Sequence, residues 1–347
     1  MGTWDMAPAA EMEDRLLSKK IKKGMDKAAM PMKRDGMGQK SYFARLRRDL
    51  VRNRAAYLLF LPVLIYYIVF CYFPMYGIII AFKDFTPYKG ILGSPWADSF
   101  GMEHFISFFD SVYFGRLIKN TLVISITNLC VTFPAPIILA LLLNEVRFKK
   151  FKGFLQTLMY LPHFISMVVI CSMVRLFVDY NGFITQMLSS LGLVDGSLSL
   201  LSNKDYFVPI YVLSGLWQTI GWSAIIYISA LSGVDQELYE AARIDGANRW
   251  QQTIHVTIPS IMMTIIMMFI MRIGQVMSVG YEKIILLYNP GIYETADVIS
   301  TYVYRKGLLE ANWSYSAAVG LFNSVINLFL VVTANRITRK VTDMGLW

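Results

Sequence analysis

Catalytic signatures are missing from this chain. G-x-x-x-x-G-K-[ST], H-E-x-x-H, G-x-S-x-G and paired C-x-x-C all fail to occur, which leaves no recognisable phosphate cradle, zinc-protease helix, serine elbow or dithiol. Charge is scarce too, at 16% of residues against 55% hydrophobic, with a positive mean hydropathy. That balance excludes an ordinary soluble domain and places the chain among polytopic membrane proteins. The three cysteines, Cys71, Cys130 and Cys171, lie in long apolar runs without metal-type spacing and read as small packing residues. His104, His163 and His255 are scattered and read as satisfied polar side chains rather than ligands.

What the chain has in quantity is apolar runs long enough to cross about 30 Å of hydrocarbon, about 20 residues each. They fall near 55–82, 117–142, 154–178, 207–231, 259–280 and 313–335. The expectation is therefore an all-α, polytopic membrane protein with six transmembrane helices. The net charge of +9 is unevenly placed. Arg45, Arg47, Arg48, Arg52 and Arg54 precede the first run, Arg147, Lys149, Lys150 and Lys152 follow the second, and Arg336, Arg339 and Lys340 follow the last. The positive-inside rule puts these segments, both termini and the polar insert around Glu240 on the cytoplasmic side of a plasma membrane. Residues 1–50 form a basic tail without apolar stretches, expected to be largely disordered or to lie on anionic lipid rather than to bind nucleic acid. Residues 51–347 form the membrane domain. The first run is too long for a signal h-region and is expected to act as its own insertion signal.

Polar side chains inside such runs should face other helices or a wet path. In the sixth run Ser316, Gly320, Asn323 and Asn327 share one helical face. The fourth offers Ser214, Gln218, Gly221 and Trp222 with Trp217 beside them, and the fifth offers Arg272, Gln275 and Ser278. Trp217, Gln218, Trp222, Arg272, Gln275, Asn323 and Asn327 are the candidate path residues, because rings flanked by amide donors suit a pyranose with apolar faces and polar edges. Close helix packing is the competing use of the same stripes. Arg272 lies about 20 Å from Pro259 at 1.5 Å per residue. It either pairs with an acid such as Glu282 or Asp179 or contacts the solute. Pro134 and Pro136 favour a bend in the second run.

The polar insert EAARIDGANRWQQTIHVTIP, Glu240 to Pro259, sits between the fourth and fifth runs and reads as helix, tight turn and second helix. Glu240, Ala241, Ala242, then Asp245, Gly246, Ala247, and finally Ile258 and Pro259 resemble the EAA loop of permease subunits of bacterial ABC importers. Thr253 stands where such permeases usually carry an aromatic residue. FPMYGIIIAFKDF (Phe73–Phe85), FPAPIILALLLNE (Phe133–Glu145), GYEKIILLYNP (Gly280–Pro290) and the terminal GLW are similar to the polysaccharide and oligosaccharide permeases of the carbohydrate uptake family.

The resemblance implies a type I importer permease fold, with a coupling loop over 232–258. Glu240, Ala241, Ala242, Asp245, Gly246 and Ala247 would contact a separate ATPase. It also implies a second permease, two ABC ATPase subunits and an extracellular solute-binding protein as partners, in a bacterial plasma membrane. ATP and magnesium would be bound by the ATPases, with no cofactor in this chain. The mostly neutral stripes favour a neutral solute, while uronic-acid oligosaccharides suit Arg272 equally well. A non-sugar ABC importer and an ATPase-independent channel or membrane sensor are the rival readings.

Overall fold

The structure, a computed structural model, describes residues 49–342 and residue 345. The basic tail through Arg48, and Leu346 and Trp347 of the terminal motif, lie outside the described residues. The chain forms two compact units divided between Met75 and Tyr76. In the first, Asp49 accepts hydrogen bonds from Asn53 Nδ2 at 2.7 Å and Tyr57 Oη at 2.6 Å. These tie down the start of α1 (Arg54–Tyr66), which continues through a π-helical turn at Tyr67–Tyr72. The apolar stretch it opens, Arg54–Phe82, is 29 residues long.

The second unit is helical, and its only described extended pairing is an isolated bridge between Lys83 and Trp96. Helices α2 (Phe114–Thr132) and α3 (Pro134–Glu145) meet at Phe133 and together make one apolar helix of 32 residues. Pro134 sits where its missing N–H costs least, at the first position of α3. α4 (Lys149–Tyr160) ends in a tight turn at Leu161–Phe164, and the chain runs extended through Ile165 and Ser166 before α5 (Met167–Val178) and α6 (Phe183–Ser190). The run expected at 154–178 is thus broken at Pro162. The apolar candidate lies further along, at Met167–Ser190.

α7 (Lys204–Ser232) spans 29 residues at the centre of the unit. Its Ala224, Tyr227 and Leu231 pack on Leu139, Ala140 and Leu143 of α3. Its Phe207, Tyr211 and Val212 pack with Cys171 and Val178 of α5 and with α11 (Tyr281–Leu287) through Ile284 and Leu287. Gly221 allows the closest approach, since a Cβ there would stand 2.1 Å from the Met159 carbonyl oxygen of α4.

Next come α8 (Gln236–Ile244) and α9 (Arg249–Gln252), a π-helical turn at Thr253–Thr257, and α10 (Met262–Ile273). Arg249–Ser260 and Met262–Ile273 form an apolar pair bent by 64°. The bend has local causes. Thr253, Thr257 and Ser260 hydroxyls donate back to the carbonyls of Arg249, Gln252 and Val256 at 3.0, 3.3 and 2.7 Å, and Pro259 removes a helix donor. Helix ends at Ile273, short of the expected 280. α12 (Ile299–Tyr304) and α13 (Trp313–Thr342) close the chain.

Length and apolarity support four membrane-crossing helices among the described residues, or five with the bent pair, rather than the six expected. The shortfall is α7, which has the length but carries Gln218, Ser214, Trp217 and Trp222 among its apolar residues. Ser214 and Gln218 are buried against neighbouring helices.

The segment before α12 is held by Asp297, which is fully buried. Arg305 grips it with two bonds, 2.8 and 2.7 Å, Thr301 Oγ1 donates at 2.8 Å, and Arg116 stands at 3.4 Å. Asn120 Nδ2 donates to the backbone carbonyls of Glu294 and Asp297, both at 2.9 Å. Removing one member of a buried ionic cluster strands the others, at about 3–5 kcal/mol. Asp297→Ala is therefore expected to lower the thermal unfolding temperature of the detergent-solubilised protein sharply. Glu310→Ala, which breaks an exposed pair with Lys306, should cost under about 1 kcal/mol.

Candidate functional site

The α8–α9 hairpin is built from local capping. Asp235 accepts from the Glu237 N–H at 3.0 Å and starts α8. At its end the Ala247 N–H reaches the Ala242 carbonyl at 2.9 Å and the Gly246 N–H reaches that of Arg243 at 3.1 Å. That pair of bonds needs a left-handed residue at the turn, and Gly246 supplies it with φ 80°. Asn248 then starts α9 with a reciprocal cap, Asn248 Oδ1 accepting from Gln251 N–H at 2.9 Å and Gln251 Oε1 from Asn248 N–H at 2.8 Å. Gln252 Nε2 donates to the Ala247 carbonyl at 2.7 Å, bracing the turn from inside.

One side of the hairpin is anchored and the other is open. Tyr239 Oη and Thr257 Oγ1 lie 3.0 Å apart, and Tyr239 packs beneath Leu231 and Val234. Arg249 pairs with Glu145 of α3 at 3.2 Å. Glu240, Ala241, Asp245 and Gly246 are exposed, and Ala242 and Ala247 half-buried. Glu237, Glu240, Ala241 and Ile244 share one helical face by their spacing, beside an exposed Leu238 and Trp250. A stiff, capped hairpin therefore offers a small apolar patch edged by carboxylates.

Within the helices, a cavity of about 480 Å³ is lined by Thr132, His163, Trp222, Ser223, Arg272 and Gln275 among others. A second, of about 210 Å³, shares Thr132, Arg272 and Gln275 and adds Ser125, Asn128 and Tyr211. The Trp222 ring stacks on His163 with centroids 4.5 Å apart and planes 4° apart. The hydroxyls of Ser125 and Thr132 and His163 Nδ1 have no hydrogen-bond partner among the described residues. Pro136 also deprives the Thr132 carbonyl of its helical donor four residues on.

The structure divides the candidate path residues. Trp222, Arg272 and Gln275 share one cavity wall. Trp217 lines a separate cavity of about 360 Å³ that is almost wholly apolar. Gln218, Asn323 and Asn327 line none of the three. Gln218 Nε2 instead donates to the Ile165 carbonyl at 3.3 Å, at the break before α5. Asn327 accepts from the Met277 N–H at 3.1 Å and donates to Ser278 Oγ at 2.8 Å, holding the turns after α10. Ser316 Oγ donates to the Val303 carbonyl at 3.1 Å, so Ser316 and Asn327 of the α13 stripe serve packing, whereas the buried Asn323 Oδ1 has no hydrogen-bond partner among the described residues. Arg272 pairs with neither Glu282 nor Asp179, and no described residue gives it an ion pair or hydrogen bond.

His163 departs from its expected role as a satisfied side chain, whereas His104 Nε2 lies 3.2 Å from the Lys83 carbonyl and 3.3 Å from Asp84. Sequence reasoning missed the stripe Thr121, Ser125, Asn128, Thr132 on α2, although its three-and-four spacing is legible. Thr121 Oγ1 accepts from the Ile299 N–H at 3.1 Å, and the remainder of the stripe lines the smaller cavity. Lys283 was missed as well. It is 5% exposed, with its Nζ 2.7 Å from the Tyr211 carbonyl and 4.7 Å from the Tyr211 ring centre.

Known proteins match over nearly all of this membrane domain. The family described as binding-protein-dependent transport system inner membrane component matches residues 132–343. The polygalacturonan/rhamnogalacturonan transport system permease protein YteP of Bacillus subtilis is 44% identical over 305 residues, covering 87% of this chain and 93% of that protein. Protein LplB of the same bacterium is 42% identical over 308 residues, covering 88% and 94%. A solved bacterial alginate ABC transporter, in complex with an alginate pentasaccharide-bound periplasmic protein, contains a chain that superimposes with a TM-score of 0.78 at 40% identity, covering 87% of this chain and all of that one.

The cavity wall depends on the close crossing at Gly221. Gly221→Ala, whose methyl group would press on the Met159 backbone, should lower the unfolding temperature in detergent. Gly320→Ala, with nothing within 4 Å of the added carbon, should leave it unchanged or slightly raised.

Proposed function

The chain belongs to the binding-protein-dependent transport system inner membrane component family, and on that basis we propose that it is the permease subunit of an ATP-driven importer for oligosaccharides or polysaccharide fragments. The named cargo of its relatives, polygalacturonan, rhamnogalacturonan and alginate, supports the saccharide class. Its partners in this reading are a second permease, two ABC ATPase subunits that bind ATP and magnesium, and an extracellular solute-binding protein. The last is supported by the periplasmic protein in the alginate complex.

The observation that carries the reading is the exposed hairpin. Glu240, Ala241, Ala242, Asp245, Gly246 and Ala247 would form the ATPase contact on the cytoplasmic side, with both termini on that side too. Caps at both ends of α8 and at the start of α9 make the hairpin a rigid lever. Its Tyr239 and Arg249 contacts join it to the helices around the cavities. ATP-driven closure of the two ATPases would draw the paired hairpins together and turn the path outward, and hydrolysis would reverse it, an alternating-access cycle of rigid bodies. Trp222, Arg272 and Gln275 would meet the solute directly. Trp217, Gln218, Asn323 and Asn327 would shape the path by packing against the helices that line it.

The test is Gly246→Val. A β-branched residue at φ 80° is strained by about 1–2 kcal/mol and re-aims the turn. The variant is expected to reach the membrane in normal amount while ATP-dependent uptake falls severalfold and ATP hydrolysis continues. Full uptake would contradict the coupling role. Uptake in vesicles lacking any ATPase subunit would point to a channel instead.

A further inference from the structure

Arg272 lines both the smaller, polar cavity and the larger, mostly apolar one, and it has neither an ion pair nor a hydrogen bond to any described residue. Neither cavity has an Asp or Glu among its lining residues. A guanidinium held among membrane helices without a counter-charge is costly, so such residues ordinarily face a partner or a charged cargo. We propose that Arg272 is the carboxylate-binding residue of the path, making the transported saccharide an acidic one that carries uronate groups. This rests on the permease reading above.

The surroundings fit a uronate better than a simple anion. The planar fork of Arg272 matches a carboxylate in a bidentate geometry. Gln275 adds amide donors and an acceptor beside it, and Thr132 and Ser125 bring hydroxyls that no described residue satisfies. Sugar hydroxyls are the complement of those groups. Trp222, which lines the larger cavity together with Arg272 and is 47% exposed and backed by His163, offers a ring on which a pyranose can lie. About 480 Å³ falls within the range of small-molecule sites, roughly 300–1,000 Å³. The neutral α13 stripe does not weigh against this, because Ser316 and Asn327 are spent on the Val303, Met277 and Ser278 contacts.

The experiment uses the whole transporter in proteoliposomes, with tetragalacturonate, tetramannuronate and their methyl esters as probes, uptake being normalised to assembled complex. The wild type should take up at least one acid about tenfold faster than its ester. Arg272→Gln should lose that preference by lowering acid uptake about tenfold while ester uptake falls far less, and Arg272→Lys should keep only part of it, because an ammonium retains the charge without the two-pronged geometry. Equal uptake of acid and ester by the wild type, or a parallel fall of both in Arg272→Gln, would overturn the assignment and leave the importer reading intact. The parallel fall is the result expected if Arg272 pairs with an acid of the second permease. Absence of ATP-driven uptake of any saccharide would overturn the importer reading itself.

Discussion

Hydrocarbon offers no partner to an unpaired backbone N–H or C=O, so every place where a membrane helix breaks must be paid for by a side chain from elsewhere. At two of the breaks among the described residues a side chain from a distant helix meets the requirement. The Ile165 carbonyl, exposed by the Pro162 turn, receives Gln218 of α7. The Met277 N–H, freed beyond the end of α10, donates to Asn327 of α13. Lys283, at the start of the short α11, adds a further tie by donating to the Tyr211 carbonyl inside the unbroken α7. These long-range bonds fix the irregular segments against α7 and α13, and both segments contribute to cavity walls, His163 to the larger cavity and Val276, Ser278, Val279 and Gly280 to the smaller. A wet path bounded by broken helices is the arrangement in which irregular backbone is tolerated at membrane depth.

The hairpin satisfies the same requirement locally, by capping rather than by distant side chains. Its bonds connect residues within five positions of one another, apart from the Tyr239–Thr257 and Arg249–Glu145 anchors. It can therefore keep its shape while the helices beneath it move. The bent passage from Arg249 to Ile273, softened by the π-helical turn at Thr253–Thr257, connects this rigid piece to Arg272 at the cavities. Thr253, which stands in place of the usual aromatic residue, bonds back to Arg249 at the start of that turn. Lever and cavity wall thus lie on one continuous stretch of chain.

The hairpin was legible because its signals are local: the helix-forming Glu240, Ala241 and Ala242, the turn at Asp245 and Gly246 and the stop at Pro259 each act within a few residues, and the Asp235 and Asn248 caps found in the structure act over the same short range. The all-helical class followed from apolar run length in the same way. Span limits were less legible, because Pro162 interrupts an apolar run that composition alone reads as continuous and the helix after Pro259 ends at Ile273 although the apolar run goes on to 280. The path residues were the hardest to sort. Gln218 and Trp222 are four residues apart on α7, yet one bonds to a broken helix and the other faces a cavity. The partner helix decides that difference, and it is far away in sequence. The α2 stripe was overlooked for the opposite reason, since serine and threonine are common in membrane helices and their spacing alone carries little weight.

The account depends most on which side of the membrane the hairpin faces and what it touches there. The direct measurement is a single cysteine at Ala241, introduced after replacing Cys71, Cys130 and Cys171, and probed in cells with a membrane-impermeant thiol reagent and then with a cross-linker in membranes carrying the whole transporter. The account predicts labelling only after the cell interior is opened and a cross-link to the ATPase subunit. Labelling in intact cells, or no cross-link to an ATPase from the fully assembled complex, would contradict it.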